Sequence, residues 1–297
     1  MNHVKNVWYR DSTWAAILLA PNIIIFAVFI VFPVIATVVI SFFSWDLIGD
    51  IRWVGIRNYV NLFQDATFRK VSLNTLYFTV VSVPFSVVLA FSMAVLLDSK
   101  IKLIKLWRAI YFLPVISSMV VVAIVWNWLY NPEFGLINYV LKAVFGIKGP
   151  AWLADTSSAM PALIITNVWK NMGYNMMLFL AGLQSISHNY YEAADLDGAG
   201  FFQKMFHITL PMLSFTTFFV LVTSVINSFQ VFDLVKLMTD GGPARSTSVM
   251  VHYLYENAFQ FFKMGYASAQ AVVLTLTIFL LTLFQFKFIK VNDISDQ

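Results

Sequence analysis

Glu192-Ala193-Ala194-Asp195-Leu196-Asp197-Gly198-Ala199-Gly200, running on to Ile208-Thr209-Leu210-Pro211, is a compact polar passage inside a very apolar chain. The spacing predicts two short helices broken between Gly198 and Gly200. Tyr190, Ala193 and Ala194 stand at i, i+3 and i+4 on the first, and Phe202, Met205 and Phe206 repeat that spacing on the second. Ala193, Ala194 and Gly198 are small enough to admit another backbone, and glycine takes the positive φ that a sharp break requires. Pro211 lacks an N–H and suits the first turn of the helix that follows. On residues alone, the passage also reads as an amphipathic connector lying on a membrane surface.

Around this passage the chain is 60% apolar and 11% charged. A soluble domain carries about a quarter charged residues, so the solvent for most of this chain is lipid. Several stretches reach the roughly 20 apolar residues that cross a bilayer as a helix. The net charge of +4 is spread around those stretches and forms no clustered basic face, which argues against nucleic acid as a partner. The absence of cysteine excludes disulfides, thiolate metal sites and cysteine nucleophiles. The first apolar stretch is too long for a signal-peptide core and reads as an uncleaved span.

An all-α membrane protein with six transmembrane helices is expected, in one domain over residues 1–297. The spans are placed at 14–43, 71–97, 107–129, 159–183, 212–234 and 265–288. The first contains Pro21 and Pro33, which membrane helices tolerate. Met1 to Asp11 is polar, with Lys5 and Arg10. Trp45, Trp53 and Tyr59 in the loop after the first span suit a membrane interface. A basic linker packs Lys100, Lys102, Lys105 and Arg108 together. Leu136 to Phe145, within the second long loop, reads as a short interfacial helix. Thr156 to Ser158 offer caps for the fourth span, and Pro161 suits its first turn.

Six spans put both termini on one side. The 19 Lys and Arg divide evenly between the two sets of connecting segments, with Lys170 inside a span, so the positive-inside rule is weak here. The cluster Lys100 to Arg108, with Lys287 and Lys290, favours cytoplasmic termini and a cytoplasmic loop 184–211.

The chain has no G-x-x-x-x-G-K-[ST] phosphate loop, and Gly-Lys never occurs as a dipeptide. If ATP drives this protein, another chain binds it. His3, His188, His207 and His252 lack ligand-like spacing, and no Gly-x-Ser-x-Gly or His-Glu-x-x-His is present, so no metal site, catalytic residue or bound cofactor is expected. Polar residues within spans are more informative, because each is costly in hydrocarbon unless it meets a cavity or a partner. Asn167, Lys170, Asn171 and Tyr174 fall on one helical stripe, with Asn175 at its edge. Asn227, Gln230 and Asp233 share roughly one side of the fifth span, beside Phe229 and Phe232. The functional reading is a translocation path for hydroxyl-rich solutes such as sugars, whose hydroxyls match amides and whose ring faces match aromatics. The structural reading is interhelical hydrogen bonding, with Lys170 neutralising Asp233 or another carboxylate.

Three stretches carry a resemblance. Glu-Ala-Ala, three residues, Gly, nine residues, Ile-x-Leu-Pro places Glu192, Gly198, Ile208, Leu210 and Pro211 in the register of the cytoplasmic coupling loop of bacterial ATP-binding-cassette importers. Trp53-Val54-Gly55-Ile56-Arg57-Asn58-Tyr59 with Leu62-Phe63 resembles the segment after the first helix in sugar-importing members. Phe232-Asp233, Thr239, Gly241-Gly242-Pro243, Thr247, Tyr255 and Ala258-Phe259 resemble the outer end of the fifth helix and following loop of carbohydrate permeases, although Asp240-Gly241-Gly242-Pro243 also reads as any tight turn. The large outer domain and additional helices of the maltose-type subunit have no room here.

This resemblance implies a type I importer permease (MetI-like) fold in the bacterial cell membrane, nearest the oligosaccharide and glycerol-phosphate branch. It implies a carbohydrate substrate, a second related permease, an extracytoplasmic solute-binding protein and an ATPase dimer that holds ATP and Mg. Glu192, Ala193, Ala194, Asp197, Gly198, Ile208, Leu210 and Pro211 would then couple to the ATPase. A polyol, glycerol phosphate or another polar solute is the nearest alternative cargo. A passive channel, which needs no coupling loop, and a membrane enzyme, for which no reactive constellation is visible, are the alternatives of other classes.

Overall fold

The computed structural model describes residues 11–99 and 102–288. Lys5 and Arg10, Lys100 of the basic linker, and the tail from Ile289 with Lys290 lie outside the described residues. Contacts divide the chain into two units. One comprises residues up to Gln64 with Tyr255–Val273, the other Asp65–Leu254 with the residues from Leu274.

In the first unit, α1 (Asp11–Phe26), a π turn (Ala27–Val31) and α2 (Phe32–Ile40) make one apolar run. The 27 residues Trp14–Ile40 span about 40 Å at 1.5 Å per residue, enough for the ~30 Å hydrocarbon layer, and none is buried by the rest of the chain. The π turn precedes Pro33 and closes with Phe32 N–H donating to Ala27 O. Proline lacks a donor and clashes with the carbonyl four residues back, which a wider turn relieves. The helix stops at Ile40, short of the expected Phe43, because β1 (Phe43–Ser44) pairs antiparallel with β2 (Arg52–Trp53). In α3 (Arg57–Gln64), Asn58 Nδ2 donates to Ser41 O at 2.8 Å and Phe43 O at 2.9 Å, and Tyr59 shares a 2.6 Å bond with Ser41 Oγ. Gly265 lies against the same carbonyl, where a Cβ would stand 1.8 Å from Phe43 O.

The second unit opens with α4 (Ala66–Asp98), five residues earlier than the expected Val71. Asp65 is the missed start signal: its Oδ1 accepts from Thr67 N–H at 2.7 Å. The expected third span 107–129 is not one helix. It forms α5 (Ile104–Ile116) and α6 (Met119–Leu129), bent by 100°. Pro114 removes a donor near the end of α5, and Ser117 and Ser118 are extended at ψ 138° and 140°. Beyond these, α7 (Leu136–Phe145) has the expected bounds and ends at Gly146, whose φ is +66°. The next helix, α8 (Ala159–Ser185), begins where expected, but the Ser158 hydroxyl donates to Trp152 O at 2.7 Å and does not cap it.

Then follow α9 (His188–Leu196), α10 (Phe201–Lys204), a π turn (Met205–Thr209), α11 (Leu210–Met212) and α12 (Ser214–Phe229). The chain bends by 67° at Leu213, between α11 and α12. Pro211 stands in the first turn of α11, as expected, and not in that of α12. It sits inside the run Phe201–Met212, two residues after a π turn, as Pro33 does. The expected fifth span 212–234 ends at Phe229, and Asp233 begins a separate helix, α13 (Asp233–Met238). After α14 (Met250–Tyr255) and a π turn (Glu256–Gln260), α15 (Met264–Phe288) is the last span.

Among the described residues, Trp14–Ile40, Ala66–Asp98 and Met264–Lys287 are helices long and apolar enough to cross a membrane, and two bent pairs, α5 with α6 and Phe201–Met212 with α12, are so when each pair is taken together. The helix α8 is 27 residues long and is made less apolar by Asn167, Lys170, Asn171 and Asn175. It packs along α4, flanked by α5 and α12. Gly173 permits the α5 contact, since a Cβ there would stand 2.1 Å from Tyr111 O.

Candidate functional site

The three helices α4, α8 and α12 share one pattern along their lengths. One apolar cluster gathers Phe78 of α4, Leu163 and Val168 of α8, and Leu234 and Val235 of α13. A second gathers Ala90 and Ala94 of α4, Met176 and Phe179 of α8, and Leu213 and Val220. Between the two lies a polar belt: Ser82 and Ser86 on α4, Asn167, Asn171, Tyr174 and Asn175 on α8, Ser224, Asn227 and Ser228 on α12. These side chains, with Val83, line a cavity of about 170 Å³.

Hydrogen bonds hold the back wall of this cavity. Asn175, buried, donates to Ser86 Oγ at 3.1 Å and Ser224 Oγ at 3.2 Å, tying the three helices at one level. Ser228 Oγ donates to Thr79 Oγ1 at 2.9 Å. Asn171 Nδ2 donates to Asn167 O and Oδ1, at 3.0 and 2.9 Å, which orients both amides. Ser82 is 1% exposed and its hydroxyl has no hydrogen-bond partner. Asn171, Tyr174 and Asn227 are exposed on the open side.

Five expected path residues thus meet: Asn167, Asn171, Tyr174, Asn175 and Asn227. Four do not line this cavity. Phe229 is buried in packing, Gln230 caps the end of α12, and Asp233 opens α13 beyond the break, so the single helical side assumed for Asn227, Gln230 and Asp233 does not exist. Lys170 turns to the broken third span, donating to Pro114 O at 3.2 Å and Ser117 O at 2.9 Å. It meets backbone carbonyls at the end of α5, and not the carboxylate of Asp233. The four serines were missed, although Ser82/Ser86 and Ser224/Ser228 stand four apart, as Asn167/Asn171/Asn175 do.

The elbow from His188 to Met212 joins two walls of the cavity, since α8 leads into it and α12 leads out. Gly198 has φ +75°, with Gly198 N–H donating to Asp195 O at 3.1 Å and Ala199 N–H to Ala194 O at 2.8 Å. These are the two bonds of a Schellman ending, which requires a left-handed residue at that position. Gln203 Oε1 accepts from Gly200 N–H at 2.7 Å and caps α10. Lys204 pairs with Asp195, and Tyr191 OH shares a 3.0 Å bond with Thr209 Oγ1, so the two arms are bridged twice. Glu192, Ala193, Asp197 and Pro211 are exposed, while Ala194, Ile208 and Leu210 are half-buried. Leu196 is 90% exposed, and Phe201, Phe202 and Phe206 are also exposed. No atom comes within 4 Å of a Cβ built at Gly198, so its smallness serves the φ angle and not a close neighbour in this chain.

The loop after α13 is tied to the start of α4. Asn74 Nδ2 donates to Arg245 O and Ser248 O, and Lys70 Nζ to Ala244 O. Lys236 and His252 hydrogen-bond to Asp240 at 2.7 and 3.1 Å and hold its carboxyl below the usual carboxylate range.

Residues 66–290 match the family described as binding-protein-dependent transport system inner membrane component. The chain belongs to this family. The matched segment contains the cavity, the broken third span and the elbow. The probable ABC transporter permease protein YurN of Bacillus subtilis is 37% identical over 90% of this chain and 93% of its own length. The sulfoquinovosyl glycerol transport system permease protein SmoG of Agrobacterium fabrum is 32% identical over 95% of this chain and 92% of its own. Among solved structures, a chain of a bacterial alginate ABC transporter, crystallised with an alginate pentasaccharide-bound periplasmic protein, has 26% identity and a TM-score of 0.82. That match covers 93% of both chains. Binding-protein-dependent permeases of this kind are multi-pass inner-membrane proteins, and the helix inventory above agrees.

Proposed function

We propose that this chain is one of two membrane subunits of an ATP-driven carbohydrate importer. In this reading a second permease faces the open side of the cavity, a solute-binding protein delivers the sugar from outside, and an ATPase dimer grips the elbow from the cytosol. The carrying observation is the polar cavity at mid-helix depth, with Asn171, Tyr174 and Asn227 on its open side. Amides at that depth are costly against hydrocarbon, so this face meets water, solute or another subunit. Relatives named as trehalose/maltose and lactose transport permeases, 31% and 33% identical to this chain, favour a sugar as the solute.

The proposed coupling follows from connectivity. The elbow is braced by its Schellman bonds, the Asp195–Lys204 pair and the Tyr191–Thr209 bond, so it moves as one piece. Its two ends continue into α8 and α12, both cavity walls. A partner that shifts the elbow on binding ATP therefore biases which arrangement of those walls is populated. Exposed Leu196, Phe201, Phe202 and Phe206 offer an apolar docking face, and Glu192 offers a charge for a basic group. ATP and Mg would sit wholly on the partner.

Uptake by proteoliposomes holding the whole assembly tests this. Glu192→Lys is expected to lower ATP-dependent sugar uptake at least tenfold while the chain still inserts. Gly198→Leu is expected to do the same, because a left-handed leucine costs about 1–2 kcal/mol at the bend. Unchanged uptake in both variants would refute the coupling role.

A further inference from the structure

Resting on the reading above, we infer that the cavity between α4, α8 and α12 takes an uncharged sugar ring, and that this chain discriminates against carboxylated, sulfonated and phosphorylated sugars. Of the ten residues lining the cavity, none carries a charge: four serines, four asparagines, Tyr174 and Val83. Amides and hydroxyls both donate and accept, which is what a ring of neutral hydroxyls needs. The Ser82 hydroxyl, buried without a partner, the exposed amide of Asn227 and the carbonyl oxygen of Asn171, whose Nδ2 is already given to Asn167, supply capacity for a ligand. The tyrosine ring offers an apolar surface to the sugar's C–H face.

The cation in the neighbourhood is excluded by its own bonds. Lys170 lies within the polar stripe in sequence, yet its ammonium is spent on the carbonyls of Pro114 and Ser117. Withdrawing it would take from the Ser117 carbonyl its Lys170 donor and leave the Pro114 carbonyl with only the Ser117 N–H at 3.2 Å, which opposes its recruitment to a substrate anion. An anionic sugar entering this cavity would lose hydration and find no counter-charge among the residues that line it, a penalty that neutral hydroxyls avoid.

The experiment uses the reconstituted assembly with its partner permease, ATPase and binding protein. Uptake is measured for labelled neutral disaccharides and for the matching disaccharides carrying a uronic acid. Asn171→Lys places a cation in the cavity without touching the binding protein, so a change in the neutral-to-acidic uptake ratio reports the cavity. The ratio is expected to favour the neutral probes in the wild type and to fall at least tenfold in Asn171→Lys. Lys170→Met is expected to lower the melting temperature of the assembly and to leave the ratio unchanged. Wild-type uptake of the acidic probes equal to that of the neutral ones, an unchanged ratio in Asn171→Lys, or acidic uptake lost selectively in Lys170→Met would overturn the inference. If no probe shows ATP-dependent uptake, the importer reading fails first and this inference falls with it.

Discussion

Lys170 and Gly173 stand three residues apart on α8, and both answer to the same neighbour, the broken third span. Lys170 donates to the carbonyls of Pro114 and Ser117, while Gly173 lets α8 approach the carbonyl of Tyr111. One side chain provides charge and the other provides absence. A methyl group at Gly173 would stand 2.1 Å from a backbone oxygen that cannot rotate away, so Gly173→Ala is expected to destabilise by about 1–3 kcal/mol. Gly200→Ala serves as the contrast, since a Cβ there would come no closer than 3.8 Å to its nearest neighbour. Thermal melts of the two variants in detergent check this, and equal melting temperatures would refute it. Gly173 was invisible as a packing residue in the sequence, because a glycine at 3.6-residue spacing carries no sign of what faces it. The polar stripe around it was legible, and its split between a cavity and a broken helix was not.

Elements extend the same lesson to breaks and caps. Both π turns ahead of Pro33 and Pro211 arise from one cause: proline removes a donor and crowds the preceding carbonyl, so the turn widens and the helix continues. Proline therefore marked a perturbation correctly but not its outcome. Pro114 coincided with a 100° bend, whereas Pro84 sits inside the continuous α4. At the break after Pro114, Lys170 donates to the carbonyls of Pro114 and Ser117. The Asp240 loop is a second element held by local bonds. Its carboxyl is kept below the ordinary range, first by the Lys236 hydrogen bond and then by that of His252. A depressed carboxyl adds stability that is present at neutral pH and lost as pH falls from about 4 through the folded value. Melts from about pH 5 to about pH 3 should show that acid-side loss in the wild type and a smaller one in Asp240→Asn. Equal slopes would show that the Lys236 and His252 bonds contribute nothing.

On the scale of the whole molecule, the helices place a polar belt between two apolar clusters and join two of its walls through one braced elbow. The proposed orientation puts that elbow and both termini in the cytosol. Alkaline phosphatase fused after Gln297 is then expected to be inactive and the same reporter inserted at Lys148 to be active. The reverse pattern would place the elbow out of reach of ATP. Composition alone established a lipid-embedded helical chain, because apolar runs of this length have no other stable solvent. The register from Glu192 to Pro211 marked the elbow, because its turn depends on local residue chemistry such as the left-handed glycine. Only the tertiary structure decided which polar residues meet. Asn175 reaches Ser86 and Ser224 across distances of 89 and 49 residues in sequence, and Lys170 reaches Ser117 across 53. No local spacing encodes such partners, because the rotation of each helix is set by the packing of the others.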